Sequence, residues 1–161
     1  MVTKVSSKTN ACRLLERLGI PYALHHYAAD ADDLSAERLS KELGRPAEEL
    51  FKTLLVRGET SGVFFAVIPV AARLDLKSLA RASGDRAVEV VPLREVRPLT
   101  GYVRGGVTAL AAKKNYPVLV DDTCTLLEDM GVSAGALGEE IILAPADYLR
   151  ATGGRAAPIT A

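Results

Sequence analysis

The chain has 161 residues, 48% of them hydrophobic and 25% charged, and its 20 Lys and Arg balance 20 Asp and Glu to a formal net charge of zero. That length suits one domain with a substantial core, read here as a single domain over residues 1–161, and no apolar run is long enough to cross a bilayer as a helix. The charge balance excludes a protein that grips nucleic acid mainly through an excess of cations, so any RNA contact must be local or assisted by a partner. The opening Met1-Val2-Thr3-Lys4 has no apolar stretch behind it; no secretory signal is read, and a cytoplasmic location without membrane contact is the default. Cys12 and Cys124 have neither metal-ligand nor redox spacing and read as packing residues.

In chain order, the first helix is written in Ala11, Leu14, Leu15 and Leu18, a stripe stopped by Gly19 with Pro21 beyond and expected to face the core. Residues 22–27 read as a short strand. After the turn Asp30-Ala31-Asp32-Asp33, Ser35 is placed to cap a second helix that Gly44 ends, with Leu34 and Leu39 as a hydrophobic staple. Pro46 stands where the first residue of a third helix belongs, with Glu48 and Glu49 complementing its dipole. Residues 53–57 and 63–70 form a hairpin across the five-residue loop Gly58-Glu59-Thr60-Ser61-Gly62. Asp75 caps a helix through Leu76, Leu79 and Ala80 that stops at Gly84; residues 88–91 are a strand and 92–96 a helical turn. Gly101, Gly105 and Gly106 make residues 100–108 a loop with unusual backbone demands. Residues 118–120 and 141–143 complete the sheet, and Pro145 opens a terminal helix ending near Gly153. The tail 154–161 is expected to be loose. Without a regular strand-helix-strand rhythm, this order favours a mixed α+β sheet over a doubly wound one.

Among residues able to carry chemistry, Lys52 stands out, because it opens the apolar run Thr53-Leu54-Leu55-Val56. An unpaired ammonium inside such a strand would cost several kcal/mol. Lys52 therefore either snorkels out at the strand end or points into a polar cavity that needs its charge. The Thr53 hydroxyl beside it can hold a ligand or face solvent. Gly105-Gly106-Val107-Thr108 can offer backbone N–H groups to an oxyanion, though most Gly-Gly pairs are simple turns. Ser133, in Val132-Ser133-Ala134-Gly135-Ala136-Leu137-Gly138, read as a second small-residue loop between strands, lacks the His and Asp order of a hydrolase nucleophile. His25 and His26 point to opposite faces of a strand and cannot share one metal from the same side. Arg104, Lys113 and Lys114 form the compact basic group nearest the glycine loop, either a solvated turn or a phosphate contact.

Taken together, Lys8-Thr9-Asn10-Ala11, Phe51-Lys52-Thr53-Leu54-Leu55-Val56, Pro69-Val70-Ala71, Leu74-Asp75-Leu76-Lys77, Thr100-Gly101-Tyr102 with Gly105-Gly106, Lys113-Lys114, Pro117, and Val132-Ser133 with Gly135 and Gly138 closely resemble the YbaK/EbsC family over most of the chain. The resemblance implies a trans-editing aminoacyl-tRNA deacylase, similar to free-standing Cys-tRNA(Pro) deacylases and to the editing domain of bacterial prolyl-tRNA synthetases. It implies a mixed, mainly antiparallel sheet curved into a partial barrel with helices around it, and no cofactor or metal. Lys52 and Gly105 match the catalytic positions, and Tyr27, Thr53, Gly106, Thr108, Ser133 and Gly135 the substrate pocket. Glu140 falls where relatives often place Asp.

The implied substrate is mischarged aminoacyl-tRNA, most readily Cys-tRNA(Pro), with prolyl-tRNA synthetase as a possible partner. For cysteine, the family mechanism has the substrate thiol attack its own ester carbonyl. The alternatives are a water-based deacylase for another amino acid such as alanine, or a non-catalytic module binding aminoacyl-tRNA or a synthetase. Where Cys-specific relatives carry Gly-Gly-Ile-Ser-Pro-Leu-Gly-Gln, this chain has Gly105-Gly106-Val107-Thr108-Ala109-Leu110-Ala111-Ala112, and Ala134 replaces a glycine whose left-handed angles a methyl group would forbid.

Overall fold

The computed structural model describes residues 8–161, so the expectation about a secretory signal, which falls on residues 1–7, lies outside the described residues. Helix α1, Asn10–Arg17, starts at Thr9, whose side chain accepts from Cys12 N. Its buried face is Ala11, Cys12 and Leu15, while Leu18 is 41% exposed. The expected stripe is thus rotated: Leu18 is the cap residue, already past the last turn that touches the core. Strand β1, Ala23–His26, leads to α2, Ala36–Leu43, which Ser35 caps by accepting from Arg38 N and left-handed Gly44 ends.

The expected third helix shrinks to a 3₁₀ turn, Ala47–Glu49, because Leu50 bridges to Gly131 and β2 begins at Phe51. Too few residues remain for an α-helical ladder. Strands β2, Phe51–Gly58, and β3, Gly62–Pro69, form the expected hairpin, but Gly58 pairs with Gly62, so Glu59, Thr60 and Ser61 alone make the turn. Asp85 explains the tighter loop, since its Oδ1 accepts from the backbone N–H of Thr60 and of Ser61, each at 2.8 Å.

Helix α3, Leu76–Ser83, has Asp75 accepting from Lys77 N and Ser78 N. After β4, Val88–Val90, helix α4 spans Leu93–Thr100 and outruns the expected turn over 92–96. It extends through Pro98 because Thr100 closes it with side-chain bonds: Oγ1 donates to Val96 O at 2.7 Å and accepts from Tyr102 N at 3.1 Å. Then come β5, Val118–Asp121, a 3₁₀ turn at Asp122–Leu126, β6, Met130–Ser133, β7, Glu139–Leu143, α5, Pro145–Thr152, and β8, Arg155–Ala157.

One sheet runs β4-β2-β3-β5-β8, antiparallel among its first three strands and parallel from β3 to β8; the other, β1-β7-β6, is antiparallel throughout. They are joined by the single Leu50–Gly131 bridge. The mixed, mainly antiparallel α+β reading holds, and the unclosed arrangement is compatible with the expected partial barrel. Hydrophobic clusters pack on both faces of the larger sheet, with Leu15, Phe51, Leu55, Phe65 and Tyr148 on one side and Val56, Phe64, Ile68, Leu79 and Ile159 on the other. That double burial is why β2 and β3 read as near-continuous apolar runs.

Two strands depart from the sequence reading. Ser133 ends β6 rather than lying in a loop, because a strand interrupted by Gly131 gives a weak β signal. The tail is not loose: β8 pairs in parallel with β5, Ile159 is fully buried, and Asp121 Oδ1 accepts from Ile159 N and Thr160 Oγ1, each at 3.1 Å. Buried Asp121 needs those partners, and the tail supplies them.

Candidate active site

A cavity of about 640 Å³ opens between the start of α2, strand β2, the β4–α4 junction, the glycine loop at 104–107, and the ends of β6 and β7. Its size is that of a small-molecule site. Of the residues singled out from the sequence, Tyr27, Lys52, Thr53, Gly105 and Ser133 line it. They come from four separate stretches of chain, so only the tertiary fold brings them together.

Lys52 is half-buried, lies opposite Ile68 in the hairpin, and among the described residues forms no ion pair. Of the two positions left open for its side chain, the structure has it at the cavity wall. Thr53 is buried, and its hydroxyl has no hydrogen-bond partner among the described residues. Tyr27 donates its backbone N–H to Gly138 O at 2.9 Å. Burial first, and then the neighbouring Glu140 carboxylate, hold its phenol above the ordinary range. Ser133 Oγ accepts from Gly135 N at 3.1 Å.

Gly106, Thr108 and Gly135 do not line the cavity; they shape the loops that do. The Gly106 N–H donates to Val103 O at 2.9 Å, which leaves it unable to donate to a ligand. A Cβ at Gly106 would lie 3.2 Å from Ala136 Cα and Leu137 N, so the two loops meet backbone to backbone. Thr108 is fully buried and its Oγ1 accepts from Leu110 N at 3.4 Å. Gly135, at φ +99°, sits against Tyr102, where a Cβ would come within 2.9 Å of the ring. The Tyr102 hydroxyl donates to Leu110 O at 2.7 Å, and burial pushes the phenol up to about 12, so it remains a donor at physiological pH. Gly105 lines the cavity beside Arg104 and Val107, and among the described residues its N–H has no protein acceptor. Of the basic group, Arg104 reaches the cavity, whereas Lys113 Nζ donates to Pro98 O at 3.3 Å.

The altered stretch beside this loop holds a strained residue. Ala111 has φ +55°, the only non-glycine at positive φ among the described residues, and it stands where Cys-specific relatives carry glycine. Ala134, by contrast, keeps a φ outside the left-handed region, so the loss of its glycine carries no strain. Left-handed geometry costs alanine on the order of 1–2 kcal/mol, part of which glycine's extra unfolded-state freedom cancels. Ala111→Gly is therefore expected to raise stability by about 0.5–1 kcal/mol. Urea denaturation checks it, and a lowered midpoint would mean that the methyl group's packing outweighs the strain.

Glu140 is the lining residue that the sequence reading noted without including in the site. Its side chain is 3% exposed, Oε2 has no hydrogen-bond partner among the described residues, and burial pushes the carboxyl up to about 8. The signal was present: a charge opening the apolar run Ile141-Ile142-Leu143, the same anomaly that singles out Lys52.

Comparison with known proteins adds the following. The aminoacyl-tRNA editing domain family matches residues 31–151 of the chain. The chain is 40% identical over 157 residues to EbsC of Enterococcus faecalis (strain ATCC 700802 / V583), named as a candidate Cys-tRNA(Pro)/Cys-tRNA(Cys) deacylase, covering 98% of this chain and 96% of that protein. Among solved structures, a hypothetical protein matches with a TM-score of 0.85 at 25% identity, covering 94% of this chain and 99% of its own. A protein titled as a candidate trans-editing enzyme for prolyl-tRNA synthetase matches with a TM-score of 0.79 at 22% identity, covering 97% of this chain and 99% of its own.

Proposed function

The chain belongs to the aminoacyl-tRNA editing domain family, and on that premise we propose that it clears mischarged tRNA by cleaving the aminoacyl ester, with Cys-tRNA(Pro) as its substrate. The observation that carries this reading is one hollow lined by an unpaired cation, Lys52, and by Gly105, whose N–H is without a protein acceptor among the described residues. The name of EbsC supports cysteine as the amino acid.

In this reading Lys52 holds the phosphate-bearing 3′ end by charge. The Gly105 N–H meets the oxygen on which negative charge develops as the carbonyl is attacked. Cavity walls of apolar side chains such as Leu34, Leu54 and Val91 keep the amino-acid side chain folded back on its own ester, raising the effective concentration of the thiol. The cysteine sulfur then attacks the carbonyl carbon, a C–S bond forms, and the bond to the 3′ oxygen breaks. The thiol proton ends on that oxygen and a thiolactone departs. No protein nucleophile takes part. Because the chain carries no net positive charge, prolyl-tRNA synthetase would supply tRNA affinity that this surface lacks.

The test is a panel of tRNA(Pro) charged with cysteine, serine, alanine or proline, with and without prolyl-tRNA synthetase. Cysteine is expected to leave fastest and serine to persist, since a hydroxyl is a far weaker nucleophile than a thiol. Equal loss of cysteine and serine would replace the thiol route with attack by water. No turnover of any ester would overturn the reading.

A further inference from the structure

The chemistry above leaves one part of the ligand without a partner. Beside its carbonyl carbon an aminoacyl ester carries a free α-amino group, and its nucleotide end carries phosphate, so the ligand has a cation and an anion a few bonds apart. The cavity offers both signs in return: Arg38, Lys52 and Arg104 line it beside Asp30, Asp33 and Glu140, and of the three acids Glu140 is the buried one. Lys52 contributes from β2 and Glu140 from β7, on different sheets, and the two are not ion-paired with each other.

Glu140 is an unusual residue to keep buried and idle. Among the described residues its Oε2 has no hydrogen-bond partner, and an unmatched carboxyl inside a protein is a destabilising feature that needs a reason. The fold makes room for it. Gly131 lies against the carboxylate, where a Cβ would stand 3.0 Å from Oε2 as well as 2.7 Å from Leu50 Cδ2 and 3.0 Å from Ile142 Cδ1, so a side chain there would crowd all three.

The ionisable groups around it leave the carboxyl uncompensated. Tyr27 approaches from beyond β1 and His25 lies opposite in the strand register, while Asp30, Asp33, Arg38, Lys52 and Arg104 also line the cavity without pairing with Glu140. The adjacent Glu139 has His26 Nδ1 3.6 Å from its Oε1, beyond hydrogen-bond reach, so the two acids differ in place and not in pairing: Glu140 lines the cavity and Glu139 does not. Burial is what lifts the Glu140 carboxyl, with no basic neighbour pulling it back down.

We propose that Glu140 is the α-amino-binding residue of this site, its carboxylate receiving the ammonium of the aminoacyl group while Lys52 receives the nucleotide end. The inference rests on the aminoacyl-ester reading above. It has a consequence that a structural carboxyl would not share. In the empty site a pKa of about 8 keeps the group mostly protonated at pH 7. A docked ammonium favours the ionised form, so binding of a charged amine expels that proton to solvent.

The probes are stable amide analogues of adenosine 5′-monophosphate bearing alanine or cysteine on a 3′-amino group, each paired with the propanoyl or 3-mercaptopropanoyl version that lacks the amine. Calorimetry in buffers of different ionisation enthalpy reads affinity and proton release together. Wild-type protein should prefer the amine-bearing member at least about tenfold, the scale of a charge-assisted hydrogen bond, and release close to one proton. Glu140→Gln, of the same shape, should bind both members within about twofold and release none. Equal binding of both members by wild-type protein, no binding of any analogue, or a preference retained in Glu140→Gln would each overturn the inference. The wild-type comparison stands even if the variant fails to fold. Ester turnover in the same preparation separates the two ideas: cleavage without amine preference removes only this inference, and amine-dependent binding without cleavage removes only the deacylase reading.

Discussion

Lys52→Met should lower kcat/KM for the preferred aminoacyl-tRNA by on the order of 10²-fold or more, while the fold and thermal midpoint stay at or above those of the wild-type protein. Methionine matches the length of the lysine stem and packs in a strand, so β2 keeps its register from Phe51–Pro69 to Gly58–Gly62. No ion pair is broken, because Lys52 has none among the described residues. A half-buried cation is removed from a mostly apolar wall, which costs no stability and can add some. The two readouts therefore move apart: activity collapses and stability does not. Circular dichroism melts beside steady-state deacylation decide the matter. A variant that keeps wild-type activity would make Lys52 a bystander, and one that loses activity only by unfolding would make it a packing residue.

Gly105→Ala is the second large effect, and here stability and activity should fall together. The backbone at Gly105 has φ +86°, a region that costs an L side chain on the order of 1–2 kcal/mol, and the new Cβ would stand 2.7 Å from Leu137 Cδ1. The Leu137 side-chain end can give way, but the dihedral strain falls on the segment that carries the Gly105 N–H and displaces it. A displacement of about 1 Å at such a group is enough for a loss on the order of 10²-fold in rate. Combining the change with Leu137→Ala separates the causes, because it removes the clash and leaves the dihedral strain. The double variant is expected to regain part of the stability and little of the rate. Full recovery of rate would show that the clash alone matters and that the Gly105 backbone has no part in the chemistry.

Much of the fold could be read locally. The caps at Ser35 and Asp75, the stops at Gly44, Gly84 and Gly153, and the β2–β3 hairpin are written in neighbouring residues, because a cap or a turn is satisfied within a few positions. The misreadings have a common cause. The 3₁₀ turn at Ala47–Glu49, the strand through Gly131 and the docked tail at Arg155–Ala157 all depend on partners distant in sequence: the sheet that claims Phe51, Leu50 and β7 pairing on either side of Gly131, and Asp121 waiting for Ile159 N.

The candidate site divides the same way. A lysine at the start of an apolar run and a loop rich in glycine are anomalies that a sequence displays by itself, since each violates what a strand or a turn would otherwise contain. Which of the loop's groups are taken was decided elsewhere: Val103 accepts from the Gly106 N–H and Tyr102 ties down the carbonyl of Leu110, whereas the Gly105 N–H at the cavity has no protein acceptor among the described residues. Glu140 was equally anomalous, yet its importance became visible only with its burial and with an Oε2 that no hydrogen bond reaches among the described residues. Residue types and spacing settle where charge is out of place; whether that charge is matched depends on side chains that only the folded chain brings within a few ångströms.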